Sequence, residues 1–556
     1  MSKLKFLMGA SALITAAAGL TSPVAAQVTT QAYGGGSSLV APYMRQAEDC
    51  YGNPTPLLIE STAVPPGAAT DANPPVAFFN YTGTPPQNCA TTHVDPSFQG
   101  NYISTGSGNG IRALYSHTPT PFWGTQPDGT PFPSIQYAAA ETSLGAADVV
   151  VYNSGGTEQG QTFGPGQTFP IPQPLYGNLI QVPLLITPID MAYDSVYKRV
   201  RRANGTIASY HFNIHKPRVD GSGGLVLDGA TYCKIFNGQI TDWNDPALLA
   251  LNGGHTLQDP HDSGTFSVPL TMVGRSDSSG TTSVWTRHLA AECPLVISGN
   301  NYADSTSTLP AALQGPAWTK TNPNFGAGSG VTDVPGKYTL AAGNDGVADY
   351  IQFDPNNLPG TTPGSSVVQG RMGYVGPDFV LPSVANTGNN TFGLNSASVL
   401  RAVGNKPISP TGKSVLLAYA ANILPPTGGN QSHPDLWVQA ASKTAPIAIP
   451  ANIKAYPIAG TSNFLGYTCY AAADVTTKIV AFLDWFETSP VVTDKNRGLL
   501  AKAGFAPMPA AWQTAITTTF IAPNGTTMPL NLYVLQAGTG PATGTGSQCH
   551  AISPGA

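Results

Sequence analysis

Charge is what this chain has least of. Asp, Glu, Lys and Arg make up 10% of its 556 residues, against about 25% in an average soluble domain. A net charge of -5 over that length, without a concentrated basic surface, excludes a nucleic-acid-binding role. The one dense basic run, Lys198-Arg199-Val200-Arg201-Arg202 beside Gly205, reads as a solvated turn. So few ionisable groups also limit charge build-up in acid, which leads us to expect an acid-tolerant fold. No C-x-x-C pair occurs, so neither zinc nor redox chemistry is indicated. No Gly-x-Ser-x-Gly elbow is present. His211 and His215 have the spacing of helix-face metal ligands but lack an acidic helix partner, so no metal and no cofactor is expected. Beyond the N-terminus, no stretch is long and apolar enough to span a bilayer.

What the chain has in quantity is backbone punctuation. Its 61 Gly and 51 Pro imply long neutral loops over the cores, and its length implies two or more domains. Lys3 and Lys5, an apolar run from Phe6 to about Leu20, and small residues at Val24-Ala25-Ala26 predict a signal peptide over 1–26, cleaved near Ala26. The mature protein is therefore expected in the periplasm or secreted. Six cysteines, Cys50, Cys89, Cys233, Cys293, Cys469 and Cys549, fit an oxidising compartment. Fifteen pairings are open, and joining nearest neighbours is the simplest.

One pattern recurs along the chain: a strand, a Gly/Ser loop and then a helix. It is seen at Gly34-Gly35-Gly36-Ser37-Ser38 before Leu39, at Gly106-Ser107-Gly108-Asn109-Gly110, and most fully at Gly274-Arg275-Ser276-Asp277-Ser278-Ser279-Gly280-Thr281-Thr282. A helix start offers free N–H groups and the positive end of the helix dipole, so it suits an anion. Arg275 adds a planar fork of donors, which Asp277 can hold in place. Glu141 and Asp148, after the strand-like Ile135–Ala140, are the candidate site acids. Strand alternating with helix through 225–289 argues for an α/β fold.

In order, Gly-Gly-Gly-Ser-Ser-Leu-Val-Ala-Pro (34–42), Gly-Ser-Gly-Asn-Gly (106–110), Leu-Val-Leu-Asp-Gly (225–229), Arg-Ser-Asp-Ser-Ser-Gly-Thr-Thr (275–282), Gly-Asn-Asp-Gly-Val-Ala (343–348) and Gly-Tyr-Val (373–375) resemble the periplasmic phosphate-binding proteins of ABC phosphate transporters (PstS-like). Pro377-Asp378-Phe379, Pro434-Asp435-Leu436-Trp437-Val438 and Cys469-Tyr470 draw the likeness closest to the DING branch. The resemblance implies a bilobed, type II Venus-flytrap α/β fold with long loop insertions. Lobe I would comprise 27–185 plus 455–556, and lobe II 186–454. It implies phosphate ligands at Ser38, Leu39, Ser107, Arg275, Ser279, Gly280 and Thr281, with Asp277 supporting Arg275. At the position where the family has an Asp, the match puts Glu141, one methylene longer; Asp148 would require sliding the match. It also implies bridges Cys233–Cys293 and Cys469–Cys549, leaving Cys50–Cys89 as a pair of this chain's own.

The function expected is non-catalytic capture of inorganic phosphate by a monomer, for uptake through an inner-membrane ABC permease or for scavenging. The alternatives are a secreted phosphoester hydrolase using the same pocket, or an extracellular adhesive or structural protein built on the neutral insertions.

Overall fold

The computed structural model describes residues 30–53, 94–125, 129–236, 238–297, 338–354, 357–381, 392–404, 406–419, 423–440, 442, 444–470, 473–521 and 535–536. The expected signal peptide, Cys89, Cys549 and most of the insertion between 52 and 99 lie outside these residues.

The chain opens with β1 (Thr30–Gly36), which runs three residues further than its apolar content suggests, straight through the glycine triplet. Parallel neighbours on both sides hold it extended. Glycine is needed at position 34 because a Cβ there would fall 1.9 Å from the Tyr137 ring. Helix α1 (Ala41–Tyr51) follows, with Pro42 in its first turn, where the missing N–H breaks no bond. The unit repeats as β2 (Phe98–Ser104) and α2 (Ser107–Ser116), and then β3 (Tyr137–Ala140) ends immediately before Glu141. A hairpin of β4 (Gly156–Glu158) and β5 (Gln161–Phe163) turns through Gln159 and Gly160, at φ 48° and 78°. Two positive φ angles make the turn whose twist matches that of paired strands.

The run at 179–191 forms two strands. β6 (Leu179–Pro188) is buried at all ten positions, as the near-unbroken apolar sequence of a central strand requires. Only Ile189 separates it from β7 (Asp190–Tyr193), which belongs to a different sheet. There the pattern resumes with β8 (Leu270–Arg275), α3 (Gly280–Val296), β9 (Tyr338–Ala341), α4 (Gly343–Ile351) and β10 (Gly370–Val375). The chain then returns as β11 (Ala459–Tyr467) and α5 (Ala473–Thr488).

Two six-stranded sheets result. The first has the order β2-β1-β3-β11-β6 with Ala506–Pro507 at its edge; the second is β9-β8-β10-β7 with Leu394–Ser396 and Val380–Leu381. Within each, the loop-bearing strands are parallel: β1 with β2 and β3, β8 with β9 and β10. Their carboxyl ends therefore open on the same side, where open α/β sheets bind ligands. Two peptide links between the sheets hydrogen-bond one another: Ile189 N–H donates to Ile458 O at 2.9 Å, and Tyr456 Oη to Ile189 O at 3.0 Å. Trp123, Trp243, Trp285, Trp437 and Trp512 are among the largest fully buried side chains. Cys233–Cys293 joins the helix Gly229–Phe236 to α3. Cys50 and Cys469 are disulfide-bonded as well.

One local expectation fails. The basic run is not a turn: Val196–Arg201 is a strand paired with Ile207–His211 and Ser366–Val368, Lys198 Nζ lies 2.8 Å from Asp262 Oδ1, and Arg201 Nε donates to Gly360 O at 2.6 Å. His211 ends the strand Ile207–His211, so it and His215 do not share a helix face. Residues 455–458 are irregular, and β11 starts at Ala459. Among the described residues no helix is long and apolar enough to cross a membrane.

Candidate functional site

Arg275 is the last residue of β8 and is 2% exposed. Its Nε donates to Asp277 Oδ1 at 2.6 Å, and its Nη2 donates to the other oxygen of the same carboxylate. A guanidinium gripped at two nitrogens keeps one orientation, which leaves Nη1 to face the cleft, 3.3 Å from Thr281 Oγ1. Burial alone would weaken the arginine's hold on its proton, but Asp277 carries its pKa above the ordinary value. The Gly343 N–H, donating to Asp277 Oδ1 at 3.1 Å, ties the pair to the start of α4. Ser279 caps α3 by accepting the Thr282 N–H at 3.1 Å. Gly280 and Thr281 then form the first turn of the helix, where N–H groups have no intrahelical partner.

The first sheet contributes Ser37, Ser38, Leu39, Ser107 and Glu141, all buried. Ser37 Oγ donates to Glu141 Oε1 at 2.5 Å and Ser107 Oγ to Oε2 at 3.3 Å. Leu39 N–H donates to Ser37 Oγ at 3.1 Å. Burial pushes the Glu141 carboxyl above its usual range, against the pull of the Ser37 bond and of Arg275. Asp148, the other candidate acid, caps the helix Ala146–Ser154 by accepting the Gly145 N–H at 2.7 Å. The acid in the cluster is Glu141.

The two sheets' loops touch directly. A Cβ placed on Gly280 would lie 2.5 Å from Ser107 Oγ, 2.7 Å from the Thr142 nitrogen and 2.8 Å from the Glu141 nitrogen. Gly108 N–H donates to Ser278 O at 3.0 Å, and Ser278 Oγ to Gln159 Oε1 at 2.7 Å. Asn344 Nδ2 reaches both Ser38 Oγ and Thr281 Oγ1, each at 3.0 Å. Hydrogen bonds and close approaches thus join Ser38, Leu39, Ser107, Glu141, Arg275, Asp277, Ser279, Gly280 and Thr281 in one buried cluster.

The sequence reading passed over Ser37, Gln159, Ser278, Asn344 and Asp345 as site residues. Burial raises the Asp345 carboxyl to about 7, with the Gly346 N–H and Arg275 opposing and Asp277 adding to the rise. A signal for the last two existed: Gly343-Asn344-Asp345-Gly346 follows a strand and opens a helix, as the other three loops do. Among the described residues, no group of three or more His, Cys, Asp or Glu is placed to hold a metal ion. Chemically the cluster offers one fixed cation, several hydroxyls, helix-terminal N–H groups and one carboxyl, Glu141, that accepts hydrogen bonds. It suits a small oxyanion that carries a proton.

A family model described as a PBP superfamily domain matches residues 85–361. Among curated proteins, the chain is 26% identical over 437 residues to alkaline phosphatase L of Pseudomonas aeruginosa (strain UCBPP-PA14), covering 78% of this chain and 84% of that protein. It is 25% identical over 430 residues to a phosphate-binding protein of an unknown prokaryotic organism, covering 76% and 88%. Among solved structures, a high affinity periplasmic phosphate-binding protein (PfluDING) bound with phosphate superimposes with a TM-score of 0.54 at 20% identity, over 94% of this chain and 99% of that one. This likeness shows the fold, two α/β lobes of the periplasmic-binding-protein type II kind.

Proposed function

We propose, from the likeness of this chain to a PBP superfamily domain and to phosphate-binding relatives, that it stands beside the PstS-like and DING phosphate-binding proteins and captures inorganic phosphate between its two lobes. The observation that carries this reading is the opposition, within one buried cluster, of the fixed Arg275 guanidinium and the Glu141 carboxylate, whose two oxygens accept hydrogen bonds. A phosphate monoanion or dianion presents bare oxygens to the first and a P–O–H to the second. Sulfate has no proton to place between its oxygen and a carboxylate, so the two acceptors repel. Ser38, Ser107, Ser279 and Thr281 supply hydroxyls, Leu39, Gly280 and Thr281 supply N–H groups, and Asp277 keeps Arg275 in position. Together they replace the ion's hydration shell, each charged hydrogen bond contributing roughly 1.5–3 kcal/mol. Closure of lobe II (186–454) on lobe I (27–185 plus 455–556) excludes water, and no covalent step is needed.

We place the protein in the periplasm or outside the cell, as a monomer delivering phosphate to an ABC permease or holding it as a scavenger. Equilibrium binding of radiolabelled phosphate to the wild type and to Arg275→Ala tests the reading. Loss of two charged bonds predicts at least about 100-fold weaker binding in the variant. Unchanged tight binding would remove Arg275 from the site.

The name of the Pseudomonas relative raises hydrolysis as the second reading, and Ser37 Oγ at 2.5 Å from Glu141 is the contact that favours it. Phosphomonoester cleavage that survives rigorous purification and disappears in Ser37→Ala would replace binding by catalysis.

A further inference from the structure

Asn344 is fully buried at the start of α4, and each polar group of its side chain is committed. Its Oδ1 accepts the Gly376 N–H at 2.9 Å. A backbone N–H demands an acceptor, so this bond fixes which end of the amide is oxygen and turns Nδ2, which only donates, toward the cleft. The two Nδ2 protons go to hydroxyls on different lobes, Ser38 Oγ and Thr281 Oγ1. Ser38 Oγ also accepts the Asn344 backbone N–H at 3.0 Å. Thr281 Oγ1 also accepts from Arg275 Nη1 at 3.3 Å.

A hydroxyl has two lone pairs and one proton. Both lone pairs of Ser38 Oγ are taken, and both of Thr281 Oγ1 as well. Among the described residues neither oxygen donates to a protein acceptor, so the proton of each is left for a group in the cleft. We infer that Asn344 is a positioning residue that sets these two hydroxyls as obligate donors, and that it thereby divides the site into a donor half and a proton-accepting half at Glu141. A hydroxyl free to rotate serves an acceptor and a donor equally well. A hydroxyl with both lone pairs filled serves only an acceptor. The assignment rests on the phosphate reading above and deepens it: Asn344 makes one side of the site select for the unprotonated oxygens of the anion, and Glu141 receives the protonated one.

The same amide joins the lobes, since Ser38 follows β1 in the first sheet whereas Thr281 and Asn344 follow β8 and β9 in the second. Asn344 thus orients the donors and also favours the closed arrangement in which they meet.

The test is a mutant cycle read by calorimetric titration with inorganic phosphate, each variant first checked for its unliganded melting temperature. Asn344→Ala in the wild-type background is expected to weaken binding roughly 10- to 100-fold. In a Ser38→Ala/Thr281→Val background, where no hydroxyl remains to be oriented, the same substitution should change binding less than about threefold. Should Asn344→Ala fail to fold, Asn344→Asp keeps the acceptor for Gly376 and removes both donors. Its loss should be at least about tenfold larger in the wild-type background than in the double variant. Equal losses in both backgrounds, for whichever variant folds, overturn the assignment while leaving phosphate binding in place. A wild type that binds no phosphate overturns both.

Discussion

Gly280 shows how little room the site leaves. It has no unusual backbone angle, so the demand for glycine comes wholly from what faces it: one hydroxyl and two backbone nitrogens of the other lobe, all within 2.8 Å of a would-be Cβ. The hydroxyl can rotate away, but the backbone cannot. Gly280→Ala is therefore expected to wedge the lobes apart rather than unfold either of them. An overpacking cost of about 1–3 kcal/mol falls on the closed state alone, so phosphate affinity should drop roughly 10- to 100-fold while the unliganded melting temperature stays put. A melting temperature that falls with the affinity would show that the residue belongs to the helix start and not to closure. The Arg275 loop was legible in the sequence because its parts are contiguous: the cation, its carboxylate, the cap and the helix start lie within seven residues. Asn344 was not, because its meaning comes from Ser38, 306 positions away, and from Gly376, 32 positions away.

At the scale of the element, the β4–β5 hairpin is a small device with a long reach. Its turn places Gln159, a non-glycine, in the left-handed region, and from there the side chain accepts the Ser278 hydroxyl of the Arg275 loop. Arg112 Nη1 braces the turn from behind by donating to Gln159 O at 2.6 Å. Gln159→Asn puts a residue better suited to positive φ at the turn but one methylene too short to meet Ser278. A neutral hydrogen bond of about 0.5–1.5 kcal/mol predicts a two- to tenfold faster release of phosphate, with the hairpin itself no less stable. Stopped-flow dissociation measures the first, and unchanged release would mean the contact is incidental. Nothing local marked Gln159, and the strand at 196–201 was hidden for the same reason. Four charged residues within 198–202, beside a glycine, have the look of a turn, and it is the pairing with Ile207–His211 and with Ser366–Val368, far along the chain, that makes 196–201 a strand. By contrast, the alternation that builds both sheets, and the apolar run of β6, could be read directly, because each is a property of consecutive residues.

At the scale of the whole molecule, acidity is the variable to examine. Burial raises the carboxyls of Glu48 to about 8 and Asp345 to about 7, and those of Glu141, Asp378 and Glu487 above their usual range. The folded protein therefore keeps protons that the unfolded chain releases above its ordinary carboxyl pKa near 4.5. The stability tied to these groups is complete below that value and is lost as pH rises through about 7 and 8. Two buried histidines, His117 and His288, are lowered to about 4 and act the other way, costing stability as pH falls below 6.5. The carboxyls outnumber them. Thermal unfolding followed across pH should give a higher melting temperature near pH 5 than near pH 8, consistent with the acid tolerance expected from the low charge content. A melting temperature that climbs steadily from pH 5 to pH 8 would contradict it.

The sealing of the cluster carries a consequence for time rather than strength. Arg275, Ser107, Thr281, Glu141 and Asn344 are each no more than 2% exposed, so no path leads from them to solvent while the lobes meet. An ion held there cannot be exchanged by competition from outside, however concentrated the competitor. It leaves only when the lobes separate, and the clock for that event is set by the Ser38–Asn344, Gly108–Ser278 and Gln159–Ser278 bonds. Residence time is thus set in part by contacts such as Gly108–Ser278 and Gln159–Ser278, made by residues outside the proposed ligand set.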